Sequence, residues 1–217
     1  MTTETHCPLC KGGALSDYFV DRRRPYLHCA TCSLVFVPPA HYLDREAERA
    51  EYDLHQNTIC DPGYRAFLSR LLQPLIRRLE PGARGLDFGC GPGPALAHML
   101  RESGFEVSLY DSFYAPERSV LDTAYDFICA TEVVEHLHQP GRELAVLWSL
   151  LQPGGWLGIM TKLVRDQASF ASWHYKNDPT HVCFFSEQTW RWWARQRGAS
   201  LSIVGADVIL LHRVGRL

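Results

Sequence analysis

From residue 60 onward, short apolar runs alternate with stretches whose apolar residues recur at three- and four-residue intervals. Residues 84–88 read as a buried strand, and 106–111, 125–131 and 155–161 as further strands. Residues 94–100 and 186–197 read as helices. In the second helix Trp190, Trp192 and Trp193 recur at helical intervals, which marks them as packing residues rather than platforms for stacked bases. Residues 201–204 and 208–211 supply two final strands. Upstream, Phe67, Leu68, Leu71, Leu72, Leu75, Ile76 and Leu79 keep helical spacing over 64–79. Pro74 is expected to bend or interrupt that helix, and Pro81-Gly82 to end it. The charged segment 42–52 is compatible with a shorter helix. Strands alternating with helices predict an α/β fold, a doubly wound sheet covered by helices on both faces.

The first strand runs into Asp87-Phe88-Gly89-Cys90-Gly91-Pro92-Gly93. Glycines at alternate positions remove the Cβ atoms that would block a tight turn or a closely bound adenosine-type ligand. A glycine loop alone is weak, but Asp111 closes the second strand 24 residues after Asp87. Dinucleotide-type folds place an acid there to accept hydrogen bonds from ribose hydroxyls. An aspartate at a strand end also caps turns, and two of them at this spacing favour the cofactor role. A nicotinamide dehydrogenase would use the same parts, yet Gly89, Gly91 and Gly93 give GxGxG rather than GxGxxG.

The third strand leads into Thr131-Glu132-Val133-Val134-Glu135-His136, and Leu151-Gln152-Pro153-Gly154-Gly155 opens the fourth. With the glycine turn and Tyr110-Asp111 before them, these motifs make residues 60–217 resemble the class I S-adenosylmethionine-dependent methyltransferases, type 11/12-like. The resemblance implies a Rossmann-like, seven-stranded sheet whose last two strands form a hairpin beside the fifth. It also implies that Asp87 faces the amino-acid end of the cofactor, with Gly89, Cys90, Gly91 and Gly93 leaving backbone room. Asp111 would bind the ribose hydroxyls, Phe113 would pack on adenine, and Thr131 and Glu132 would complete the cofactor site.

Such a cofactor carries an electrophilic sulfonium methyl, so the protein chiefly aligns a nucleophile behind it. An oxygen nucleophile must also lose a proton, to a histidine or through a bound metal that lowers its pKa. If a helix begins soon after Thr131, then Glu132, Glu135 and His136 converge on one cleft. Their Glu-x-x-Glu-His pattern resembles that of ubiquinone-pathway O-methyltransferases and small-RNA 2′-O-methyltransferases, where it contributes to a divalent-metal site with further histidine help. His181, in Asp178-Pro179-Thr180-His181, is the candidate for that help, with His174 behind it. The catalytic candidates are therefore His181, His136 and Glu132. The candidate second metal site is Glu132, Glu135, His136 and His181, suited to Mg²⁺, Mn²⁺ or Fe²⁺. The alternatives are acids that cap the helix or touch cofactor without metal, and a packing histidine fixed by Asp178.

The chain has 217 residues, 46% of them apolar, enough for one sizeable core and a small accessory module. A net charge of -2 gives no general attraction to nucleic acid or to an anionic membrane. No apolar stretch approaches the ~20 residues of a spanning helix, and the start lacks a secretory signal, so a cytoplasmic protein with no membrane partner is expected. There, the eight cysteines should be reduced, and a regular spacing reads first as a metal site. Cys7-Pro8-Leu9-Cys10 and Cys29-Ala30-Thr31-Cys32 are two CxxC pairs separated by 18 residues. Four thiolates make a closed tetrahedral shell for a structural Zn²⁺, and the segment has too few apolar residues to fold without it.

Val37-Pro38-Pro39 marks a boundary. The expected organisation is a zinc-ribbon module over 1–39 with strands near 18–20 and 26–28, a helical connector or lid over 40–80, and a cofactor-binding methyltransferase domain over 81–217. His55 is a candidate acid or base in the lid, and Tyr64 a candidate contact to the methionine part of the cofactor. Arg22, Arg23 and Arg24 leave room for docking of RNA or a protein partner by the ribbon. The expected function is methyl transfer to oxygen, nitrogen or carbon of a small-molecule acceptor, oxygen favoured and RNA the other substrate class. The competing function is a zinc-ribbon binding protein with an inert core.

Overall fold

The computed structural model describes residues 5–54 and 58–215. Three short strands come first, β1 (Leu15–Val20), β2 (Pro25–Cys29) and β3 (Val35–Phe36), followed by helices α1 (Arg45–Tyr52) and α2 (Pro62–Ile76). Then come β4 (Arg84–Phe88), α3 (Ala95–Glu102), β5 (Glu106–Tyr110), β6 (Tyr125–Thr131), α4 (Pro140–Leu150) and β7 (Leu151–Met160). The chain ends through α5 (Gln167–Ala171), β8 (Cys183–Phe184), α6 (Glu187–Arg197), β9 (Ser200–Val204) and β10 (Val208–His212).

The main sheet has the order β5-β4-β6-β7-β10-β9. Its first four strands are parallel, and β10 runs antiparallel to both neighbours, the terminal hairpin that the sequence motifs imply. Strand residues alternate between two cores, as the pleat requires. Phe127, Cys129, Met160 and Leu210 face α2 and α3, against Leu68, Leu71, Leu75, Leu96 and Leu100. Ile128, Ala130, Leu157, Ile159 and Leu211 face the other way, against Leu144, Leu147, Trp190 and Trp193 of α4 and α6. Both faces are thus covered, which explains why the central strands read as continuous apolar runs.

Three details differ from expectation. Among the described residues the main sheet holds six strands rather than seven. The connection 111–124 between β5 and β6 contains an isolated bridge between Asp111 and Ala115 and a 3-10 turn, Arg118–Asp122, and is too short for an extra strand with its own crossovers. Pro74 does not break α2, because it lies in the last turn, where only one backbone hydrogen bond is forfeited. After β6 the chain does not enter a helix at once: Glu132 takes a left-handed φ of 52°, a 3-10 turn spans Val134–His136, and α4 starts only at Pro140.

The amino-terminal strands do not stand apart. They form a second sheet of order β1-β2-β3-β8, in which Val35 pairs with Phe184 and Phe36 with Cys183 from the far end of the sequence. Tyr26, Phe170 and Phe184 pack edge to face, with centroids 5.0–5.8 Å apart. Gly141 at the start of α4 sits so near the first cysteine knuckle that a Cβ there would fall 2.2 Å from the Leu9 carbonyl oxygen. In the connector, Asp44 caps α1 by accepting from the Glu46 and Ala47 amides, and Asp61 caps α2 through Tyr64 N–H. His55 lies outside the described residues.

Candidate active site

At the carboxyl end of β4 the backbone turns sharply, with Gly89 and Gly91 at φ of 72° and 63°. A Cβ on Gly89 would meet Val133 at 2.4 Å, so glycine is needed there for both shape and space. Asp87 is 2% exposed, and burial pushes its carboxyl up to about 7. Burial likewise raises the Cys90 thiol to about 12, which keeps it protonated and unreactive. Asp111 fastens two loops: one oxygen accepts from Gly91 N–H at 3.1 Å, the other from Phe113 N–H at 2.8 Å and Tyr114 N–H at 3.1 Å. It therefore does cap a turn, and the turn it caps presents Phe113 to the cavity.

That cavity encloses about 770 Å³, enough for a nucleoside cofactor and a small second ligand. Asp87, Gly89, Cys90, Gly91, Gly93, Asp111, Phe113 and Thr131 line one wall. Glu132, His136, Asp178 and His181 make a second wall that begins where Thr131 ends the first, and Tyr52 and Glu48 of α1 line the cavity as well. Tyr52 touches both sides, its ring centroid 5.7 Å from Phe113 and 5.2 Å from His136. Tyr64 also reaches the cavity, whereas His174 lies outside it, bonded to Lys162 Nζ at 2.9 Å.

Behind the second wall is a buried polar cluster. The Tyr175 hydroxyl donates to Glu135 Oε1 at 2.5 Å and lies 3.3 Å from Glu132 Oε2 and 3.2 Å from the Thr161 hydroxyl. Desolvation raises Glu132 to about 7, and desolvation together with the nearby Glu132 charge raises Glu135 to about 8. Glu135 is 0% exposed, and among the described residues its Oε2 meets no hydrogen-bond partner. Glu135, His136 and His181 each offer one ligand atom within 4.8 Å of the others. Glu132 is not in that group; its backbone is left-handed and its Oε2 lies 3.3 Å from the Tyr175 hydroxyl. The orphaned carboxylate oxygen and two imidazoles fit a divalent cation of the Mg²⁺, Mn²⁺ or Fe²⁺ kind.

The four cysteines also meet: Cys7 and Cys32 Sγ are 3.5 Å apart, as are Cys10 and Cys29, and all four lie within 4.8 Å. Sulfurs around a tetrahedral zinc stand about 3.8 Å from one another, so the set fits. The two knuckles are built alike: Lys11 and Ser33, each following a second cysteine, share φ of 60° and bond back to the Cys7 and Cys29 carbonyls. Hydrogen bonding from Cys32 holds Cys7 down to about 6, already favouring a thiolate.

The family model described as a methyltransferase domain matches residues 62–202. The chain belongs to that family. The magnesium protoporphyrin IX methyltransferase of Synechocystis PCC 6803, solved with bound S-adenosylmethionine, superimposes with a TM-score of 0.52 over 82% of this chain and 94% of that one. At 16% identity the superposition speaks for the fold alone, the class I S-adenosylmethionine-dependent methyltransferase fold. Among curated proteins, the ubiquinone biosynthesis O-methyltransferase of Xanthomonas axonopodis pv. citri is 34% identical over 46% of this chain and 52% of its own length. That of Xanthomonas campestris pv. campestris is 33% identical over 42% and 47%. The chain spans about half the length of these curated relatives.

For this methyltransferase domain, motif reading brought both walls of the cleft to one place, but it missed Tyr175 as the link between the two glutamates. Its signal was weak: one tyrosine in an aromatic stretch, 40 positions from Glu135. Glu48 carries no motif at all, whereas Tyr52 falls in the segment 40–80 expected as a connector or lid. Arg24, one of the three arginines offered for docking, is 6% exposed and bonded to backbone carbonyls. Arg23 is bonded to the Asn177 carbonyl at 2.6 Å, which leaves Arg22 as the arginine of that run without such a tether among the described residues. No described helix is long and apolar enough to cross a membrane.

Proposed function

We propose that the protein transfers a methyl group from S-adenosylmethionine to an oxygen of a small-molecule acceptor. When bound, the cofactor supplies an electrophilic sulfonium methyl. Asp111 holds the ribose hydroxyls, the Gly89–Gly91 backbone makes room, Phe113 packs on adenine, and Asp87 faces the amino-acid end with Thr131 and Glu132 beside it. The acceptor occupies the space between that wall and His136 and His181, under Tyr52. His181 takes the acceptor proton at Nε2. His136 and Glu132 orient the acceptor.

The observation that carries this reading is that the two histidines share one cavity with the glycine turn. The O-methyltransferase names of the curated relatives support oxygen as the acceptor atom. The unsatisfied Glu135 oxygen favours a second version, in which Glu135, His136 and His181 hold a divalent ion that acidifies the acceptor hydroxyl. The Cys7, Cys10, Cys29 and Cys32 set holds a structural Zn²⁺ with no open position, and the chain acts in the cytoplasm.

Calorimetry on zinc-loaded protein should show S-adenosylmethionine binding and no NAD binding. A phenol and catechol panel with labelled cofactor then tests the acceptor atom. Absence of cofactor binding would return the protein to a binding module with an inert core, and label appearing only on RNA or on amines would displace the small-molecule oxygen acceptor.

A further inference from the structure

The segment 176–181 carries Asp178 and His181 to the cavity, and after a 3-10 turn ending at Asn177 it has no regular structure of its own. It is held from outside, by the hairpin between β1 and β2. The Arg24 guanidinium donates to the carbonyl oxygens of Lys176 at 3.0 Å, Asp178 at 2.8 Å, Pro179 at 2.9 Å and His181 at 2.8 Å. Its Nε–H donates to the Tyr26 hydroxyl at 3.2 Å. Four carbonyls from one short segment thus converge on a single planar fork, which only a loop of this curvature allows. Asp21 braces the arrangement by accepting from the Arg23 and Arg24 amides and pairing with Lys176 Nζ at 3.1 Å.

The held loop determines how His181 is presented. His181 Nδ1 lies 2.7 Å from the Tyr175 carbonyl oxygen, which can only accept, so the proton sits on Nδ1. Nε2 is then the nitrogen that can receive a proton, and it faces the cavity wall 3.7 Å from Asp178 Oδ2, with the His136 ring 4.6 Å away. The two ends of that geometry flank the clamp: Tyr175 immediately precedes Lys176, the first clamped carbonyl, and His181 carries the last one. A free imidazole prefers the opposite tautomer, so the presentation needs the clamp.

We propose that Arg24 is a positioning residue for His181, setting its tautomer through the loop carbonyls and making the zinc ribbon part of the reaction apparatus. The proposal rests on His181 being the cavity-facing proton acceptor. Long-range ¹H–¹⁵N spectra of the zinc-loaded full chain, with His181 identified by His181→Gln, test it directly. The wild type should show a protonated Nδ1 and a pyridine-like Nε2 for His181. Arg24→Gln and Arg24→Lys should keep zinc and keep S-adenosylmethionine affinity within about twofold, the cofactor wall being remote. Both should lose that signature and move His181 toward the Nε2–H form, lysine included, because an ammonium cannot span four carbonyls.

A wild-type His181 spectrum in folded Arg24→Gln would overturn the proposal. Should Arg24→Gln lose its zinc, Asp21→Asn keeps the guanidinium and loosens its brace. The same resonances should then shift part of the way, and no shift would again overturn the proposal. Failure of the methyl-transfer reading looks different, since the wild type would then bind no S-adenosylmethionine whatever His181 does.

Discussion

The two walls of the cleft solve the same problem, placing polar groups beside a ligand, with opposite materials. The cofactor wall is local and mostly backbone: Asp87 to Gly93 and Asp111 to Tyr114 lie at the ends of adjacent parallel strands, and Asp111 ties their loops together. The acceptor wall is assembled from side chains far apart in sequence. Glu132 and Glu135 meet Tyr175, His136 meets His181, and His181 stands where it does because Arg24 grips its loop. A backbone-built wall tolerates nearly any scaffold that supplies the turn. A side-chain wall fails when any distant support moves, so the two should respond differently to perturbation.

The largest separation should come from zinc removal. Structural zinc contributes on the order of 10 kcal/mol to small modules. Cys32→Ala should therefore release the metal, measured by elemental analysis, and lower thermal stability steeply. Because β3 and β8 share a sheet, the acceptor wall should show raised amide exchange at residues 176–184 while 85–91 stay protected. Uniform exchange across both walls would erase the distinction.

Asp111→Ala should weaken S-adenosylmethionine binding by about 1.5–3 kcal/mol, from the loss of a charged acceptor and of the loop tie. His181→Gln should leave that affinity unchanged. Equal losses in a titration would show that the walls are not separable.

The pH response should belong chiefly to the acceptor wall. Glu132 near 7 and Glu135 near 8 hold protons more tightly folded than unfolded. Their stabilising contribution is full below the ordinary carboxylate range and is lost as pH rises through 7 to 8. Unfolding free energies from denaturant titrations should thus fall from about pH 5 to about pH 8, by several kcal/mol. Asp87, near 7, adds in the same direction, so the slope should shrink in Glu135→Gln without vanishing. Saturating Mn²⁺ should oppose the slope if Glu135, His136 and His181 hold it, because metal needs deprotonated ligands. A slope unchanged in Glu135→Gln would remove these acids as its source.

The smallest effect is expected at Arg22. Arg22→Ala should change stability by less than about 0.5 kcal/mol. RNA affinity and its salt dependence should be equally unmoved, and a reduced salt slope would reinstate docking through the ribbon.

What the sequence disclosed follows the same division. Gly89, Gly91 and Asp111 are readable because turn, strand end and acid fall within one supersecondary unit, and the CxxC pairs because a metal demands close thiols. The strands follow from apolar runs, and the hairpin beside the fifth strand from the family resemblance. Tyr175 and Arg24 are different, since their roles depend on which distant segment each one meets. Nothing near Arg24 in the sequence distinguishes it from Arg22, and only the closing of β3 onto β8 brings four carbonyls to its guanidinium. The missing seventh strand could have been counted from the short connection 111–124, whereas Pro74 is tolerated because of where the helix stops.

The strand that β8 lends to the amino-terminal sheet also bears on synthesis. During translation the cysteine knuckles emerge well before β8 and can load metal early, yet Val35 and Phe36 must wait until Cys183 and Phe184 have left the ribosome. Until then β3 offers an unpaired, apolar edge to every other nascent chain. Truncation before residue 184 should leave the chain with that edge permanently open.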